Sequence, residues 1–238
     1  MQIQHLLFSQ GFGTRRVCAG LVEQGWVEVE GQLVTDPAHT VVAQGLRYRV
    51  QGVPWLYQER AYLMLNKPAG YECSHRPGAW PSVYTLLPPP LRQRGTGAVP
   101  GVQAVGRLDQ DTTGLLLLSD DGRFIHRMTS PRHHVPKVYE LELRDPPTPQ
   151  QVSRLLSGVA IEPGSAAVRA AACSITGAQA MQLTLTEGKF HQVKRMLMAV
   201  DNPVERLHRS RIGELELPAD LAPGQWRWLQ PADLEALR

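Results

Sequence analysis

Residues 106–122 read GRLDQDTTGLLLLSDDG. A polar, glycine-bounded turn carrying Arg107, Asp109 and Asp111 runs straight into four leucines, the mark of a buried strand. Charged groups at the mouth of such a strand need a reason. Either the segment is an acidic turn, or one of its carboxylates does chemistry.

Outward from this stretch, the chain alternates short apolar strands with a few helices. AYLML (61–65) reads as a buried strand and NKPAGY (66–71) as a turn punctuated by Pro68 and Gly70. Residues 81–101 are rich in proline and glycine and are expected to form an irregular surface loop. FIHRMTS is a short helix stopped by Pro131. VYELEL, MQLTLT and LELP are further strands. In TPQQVSRLLSG, Thr148 caps a helix, Pro149 takes the first turn, Gln151 completes a capping box and Gly158 ends it. Strands outnumber helices without regular interleaving, so an α+β fold with a mixed, largely antiparallel sheet is expected rather than a doubly wound one.

The first fifty residues form a separate pattern. Ile3, Leu6 and Leu7 share a helical face. Gly11 and Gly13 interrupt, Thr14 caps a second helix with Val17, Leu21 and Val22 inward, and Gly25 stops it. WVEVEGQLV is a hairpin turning at Glu30-Gly31, LRYRV is another strand, and QGVPWLYQER is a candidate linker. The expected division is a small module at 1–58 and a larger domain at 59–238.

Composition excludes several classes. The 238 residues, 42% hydrophobic, suffice for a sizeable core, and no apolar run is long enough to span a bilayer. The N-terminus lacks a secretory layout, and the three scattered cysteines read as reduced thiols, so a cytoplasmic protein without a zinc site is expected. The module at 1–58 has four cations and four carboxylates. Residues 189–211 instead carry six cations against two carboxylates, with His191 and His208 beside them. That excess fits a polyanion partner or a solvated helix face, and composition leaves both open.

Two chemistries fit the opening stretch. Asp109 and Asp111 match the DxDxT pattern of magnesium-dependent phosphohydrolases, but there an apolar strand precedes the motif, whereas here it follows. The better reading makes Asp109 a lone nucleophile needing no metal, held ionised by a nearby cation. If KFHQVKRMLMAV is helical, Phe190, Val193, Leu197 and Val200 form its apolar face, Lys194 lies at the edge and Arg195 points away. Lys194 can then serve Asp109, or merely snorkel over the core. Tyr139 shares a strand face with Leu141 and Leu143, as a core residue or as a ring for base stacking. Arg132 and His133 suit phosphate contact better than metal binding.

GRLDQDTTGLLLLSDDG, NKPAGY, SPRHHVPKVYELEL and EGKFHQVKRML, in this order, resemble the bacterial rRNA pseudouridine synthases of the RsuA type. The resemblance covers essentially the whole chain, and the module with GTRRVCAGLVEQGWVEVEG is similar to an RNA-binding module shared with a small-subunit ribosomal protein. It implies Asp109 as catalytic aspartate, Tyr139 as base-stacking tyrosine, Lys194 as the aspartate's basic partner and Arg107 as a residue that flips or holds the nucleotide. Asp111 is then structural. Arg15, Arg16, Lys137, Lys189, His191, Arg195 and Arg209 join Arg132 and His133 as expected RNA contacts. The implied protein is a monomer without cofactor, acting on rRNA within a ribosome-assembly intermediate. The HQVKRM and SPRHH versions of the motifs, and an end at PADLEALR without a long basic tail, are most similar to the enzyme for uridine 516 of 16S rRNA. A 23S rRNA enzyme and a non-catalytic ribosome-assembly protein are the competing expectations.

Overall fold

The computed structural model describes residues 1–94 and 101–237, which fall into two compact units. The first comprises Met1–Tyr62 together with Leu87–Gln103 and Ser119–Asp121. Its helix α1 (Ile3–Ser9) buries Ile3, Leu6 and Leu7, as the spacing requires. Thr14 caps α2 (Arg15–Glu23) by accepting from the Val17 amide. Val17 itself is half exposed, because Cys18 and Val22, one turn apart, take the buried face instead. Strands β1 (Val27–Val29) and β2 (Gln32–Val34) form the expected hairpin, with Glu30 and Gly31 both at positive φ. β3 (Arg47–Val50) pairs with β4 (Val53–Leu56), giving the order β2-β1-β3-β4. The supposed linker therefore contains a strand. Gln51 and Gly52 at positive φ close a tight hairpin there, and the tolerance of an edge strand accommodates Pro54.

Residues 81–94 are more ordered than the composition of the 81–101 stretch implies. Val83 and Tyr84 are buried in a 3-10 turn, and Leu87 and Leu91 anchor helix α3 (Pro89–Gln93). The part at 95–100 lies outside the described residues. Within the first unit, Gly11 lets α3 approach: a Cβ there would sit 2.1 Å from the Pro90 carbonyl oxygen. Arg94, 3% exposed, is fully engaged: it donates to Asp120 at 2.6 Å, to the Gln58 carbonyl at 2.6 Å and to Gln10 at 3.2 Å. Asp120 also accepts from the Ala61 amide, and Asp121 from the Tyr62 hydroxyl. This acidic pair thus serves structure.

The second unit holds the larger sheet, nine strands among the described residues. In chain order these are β5 (Tyr62–Lys67), β6 (Gln103–Ala104), β7 (Thr113–Ser119), β8 (Lys137–Leu143), β9 (Ala172–Gly177), β10 (Ala180–Leu185), β11 (Val204–Ile212), β12 (Leu215–Glu216) and β13 (Trp226–Trp228). The spatial order is β13-β5-β7-β11-β8-β10-β9. β7 and β11 run parallel, whereas β13–β5, β11–β8, β8–β10 and β10–β9 are antiparallel. The fold is α+β with a mixed sheet. Leu115–Leu118 are fully buried at its centre. Helices α4 (Gly122–Thr129), α5 (Pro149–Ser157), α6 (Gln192–Met198) and α7 (Pro231–Glu235) complete the described α-helices, α5 with its capping box intact. No described helix is long and apolar enough to cross a membrane.

Candidate active site

Asp109 lies on the turn between Gly106 and β7, and that turn is held from below by a residue the motif reading passed over. Lys67, at the end of the apolar strand β5, is 0% exposed. Its ammonium donates to the carbonyls of Thr112 at 2.8 Å, Gln110 at 3.1 Å and Pro68 at 3.1 Å. The Gly70 amide adds a bond to the Gln110 carbonyl at 2.8 Å. The NKPAGY turn is therefore the seat of the aspartate loop. Burial pushes the Lys67 pKa below its ordinary value, against the pull of nearby Asp111 and Asp109. A lysine closing a strand of apolar residues was the available signal: a buried ammonium must find acceptors.

The opposite wall is α6 and the turn before it. Gln192, 4% exposed, accepts from the Lys189 amide and donates to Glu187, which pins the turn. His191 precedes the helix at φ 49, a left-handed conformation. Lys194 then projects to the aspartates: its Nζ lies 3.4 Å from Asp109 Oδ2, and 2.6 and 2.8 Å from the two oxygens of Asp111. His191 Nε2 approaches Asp109 Oδ1 at 3.4 Å. Desolvation alone would raise the Asp111 carboxyl, but the hydrogen bond and charge of Lys194 prevail and lower it. Asp111 thereby anchors the lysine. Asp109, with the Lys194 ammonium and the His191 ring each at 3.4 Å, makes no short hydrogen bond to either, which leaves lone pairs for an electrophile.

The remaining candidates are distributed unevenly. Tyr139, 9% exposed, sits on β8 opposite Arg209 of β11, and Arg209 lies beside Gly114 of β7, the strand that leaves the aspartate loop. Arg107, Arg132, His133 and Lys189 are exposed, and so are Arg15 and Arg16 in the first unit, where the Arg15 guanidinium lies 5.4 Å from the Phe8 ring centre. Lys137 donates to the Val135 carbonyl, and burial, then the neighbouring Arg209, push its pKa down to about 8.

Two expected RNA contacts are corrected. Arg209 is 2% exposed and donates to the Leu115 carbonyl at 2.8 Å, so it belongs to the sheet interior and not to a phosphate-binding surface. Arg195 does leave the apolar face of α6, but it is not free: it donates to the carbonyls of Ile161 at 2.9 Å and Phe190 at 3.2 Å and pairs with Glu162. Phe190 is also corrected. It precedes α6, is 71% exposed, and stacks on His191 with ring centres 3.7 Å apart at 21°.

Residues 61–199 match the family model described as RNA pseudouridylate synthase. Over 236 residues, and 96% of both chains, the protein is 37% identical to the ribosomal small subunit pseudouridine synthase A of Escherichia coli K12. It is also 37% identical over 240 residues to an uncharacterized RNA pseudouridine synthase of Bacillus subtilis 168, with 100% of this chain and 98% of that one covered. A crystal structure of a pseudouridylate synthase superposes with a TM-score of 0.69 at 31% identity, over the whole of both chains.

Proposed function

This chain belongs to the RNA pseudouridylate synthase family, and from that premise we propose that it converts uridine 516 of 16S rRNA to pseudouridine with Asp109 as nucleophile. The reaction is an isomerisation. The glycosidic carbon–nitrogen bond breaks, the uracil turns, and a carbon–carbon bond joins the same sugar carbon to C5 of the base. The proton leaving C5 is matched by one gained at the freed nitrogen, so atoms and electrons balance within the nucleotide.

The observation that carries this reading is the Asp109 carboxylate between Lys194 and His191, each at 3.4 Å, on a loop braced by a buried ammonium. A carboxylate so placed can add to the sugar or the base. Its charge is stabilised without being quenched by short hydrogen bonds. Tyr139 supplies an aromatic ring at the adjacent strands, and exposed Arg107 beside the loop suits an extruded nucleotide, whose unstacking costs a few kcal/mol. The small-subunit target is supported by full-length likeness to enzymes named for that subunit.

Replacing Asp109 with Asn should abolish pseudouridine formation in a 16S fragment while leaving RNA affinity within about threefold of the parent. Turnover by that variant would refute the role of Asp109. Deleting the gene and mapping pseudouridines in both rRNAs tests the target. Loss of the single 16S site is expected. An intact 16S profile with a missing 23S site would move the target and spare the chemistry.

A further inference from the structure

Phe190 is an aromatic ring left in solvent at the edge of the aspartate site. A lone exposed phenylalanine is ordinary on a protein surface. Three features set this one apart. First, the helix beside it had an apolar face available: Val193, Met196 and Leu197 are buried, while Phe190 is 71% exposed. Second, the chain turns it outward through His191 at φ 49, a conformation that L residues seldom adopt, although histidine tolerates it better than most. The Phe190 carbonyl is held in that arrangement by Arg195, itself anchored to Ile161 and Glu162. Third, the ring lies flat on the imidazole whose Nε2 faces Asp109.

We propose that the outer face of Phe190 is a stacking platform for the base of a nucleotide flanking the target uridine. The proposal rests on the reading of the protein as an RNA-modifying enzyme. A base laid on that face would be separated from His191 by the Phe190 ring, and so set apart from the nucleotide that reacts at Asp109. That is the place of a neighbour in the RNA strand. The surroundings favour a nucleotide over a protein side chain, because Lys189 is exposed on the same turn and suits a phosphate backbone. Unpaired bases stack on exposed aromatic rings whatever their identity. The contact would hold the opened strand in register while the target is extruded.

The test is a cycle between protein and RNA. Phe190→Leu should raise KM for a 16S fragment about tenfold, within the range for losing one base–aromatic stack, and Phe190→Trp should restore it. Abasic substitutions are then placed singly at the three nucleotides on each side of the target. One of them should cost the parent enzyme a similar factor yet cost Phe190→Leu less than a further twofold, because both changes remove the same contact. An unchanged KM in Phe190→Leu would overturn the proposal. So would a loss confined to kcat with every abasic penalty intact, which is the signature of a ring that only props His191. Running the same cycle on Kd separates the premises: a parent enzyme that binds the fragment but forms no pseudouridine fails the proposed target, and the Kd cycle still decides the platform. No RNA binding by the parent overturns both.

Discussion

One ammonium, that of Lys194, serves two carboxylates, Asp109 and Asp111, from a strand mouth far earlier in the chain. Removing it leaves the like charges of Asp109 and Asp111 beside a site built for a cation, with their positions no longer fixed by it. Lys194→Met should therefore cut kcat by about two to three orders of magnitude, with smaller change in KM. The adjacent Arg195 behaves differently. Its guanidinium grips Ile161 and Glu162 within the second unit, so Arg195→Met should lower the thermal midpoint by a few degrees and leave the salt dependence of RNA binding nearly unchanged. Single-turnover rates, melting curves and a salt titration of both variants check this. A flattened salt slope in Arg195→Met would restore it to the RNA surface. The contrast between neighbours was only half visible in HQVKRM. Helical spacing separated the two directions, but the carboxylate awaiting Arg195 comes from a loop more than thirty residues away.

At the level of elements, the parallel pair β7–β11 is what brings the aspartate loop beside the sheet's charged interior, with Gly114 opposite Arg209. A Cβ on Gly114 would lie 2.3 Å from the Arg209 carbonyl oxygen and 2.8 Å from its amide nitrogen, at a φ of +103 that strains any other residue. Gly114→Ala should destabilise the protein by about 3 kcal/mol, lower its thermal midpoint by roughly 6–12 °C and impair turnover with it. A midpoint equal to the parent's would refute the close packing. The leucine run, the Thr14 cap, the capping box at Thr148 and the Glu30-Gly31 hairpin could all be read in sequence, because each is a local pattern. β11 could not. Its VERLHRSRI has no apolar run, since the arginine at its centre takes a buried place that patterning assigns to a hydrophobe. Phe190 escaped for a related reason: a helical wheel presumes the helix continues, and His191 stops it. Asp109 was legible through motif likeness and the physics of a charge beside a buried strand, whereas its seat on Lys67 depended on a chain reversal from β5.

For the molecule as a whole, the positive surplus of residues 189–211 is smaller at the surface than along the chain. Lys194 is committed to two aspartates, Arg195 to Glu162, and Arg209 to the interior. Lys189, Arg206 and Arg211 remain within reach of solvent. Replacing these three by Gln should flatten the slope of log Kd against log salt by about 2, at roughly 0.7 per phosphate on single-stranded RNA. Lys137 adds a pH-dependent part. Its folded pKa of about 8 lies below the free value of 10.5, so it is charged below about 8 in both folded and unfolded chains. Between about 8 and 10.5 the unfolded chain keeps a proton the folded one has released. Folding stability from this group therefore rises with pH across that window, while its attraction for phosphate is lost. The salt slope should shrink by about a further 0.7 from pH 7 to 9, and Lys137→Arg should remove that change. A slope indifferent to the triple substitution would relocate the RNA path to other cations.

The brace beneath the aspartate loop has a consequence for how the protein can drift over generations. Lys67 takes hold of carbonyl oxygens, which every amino acid possesses, and the Gly70 amide does the same. The grip thus asks nothing of the side chain at position 110. Inheritance can rewrite Gln110 freely while the fastening at Lys67 stays fixed, so the loop is constrained in shape far more than in spelling.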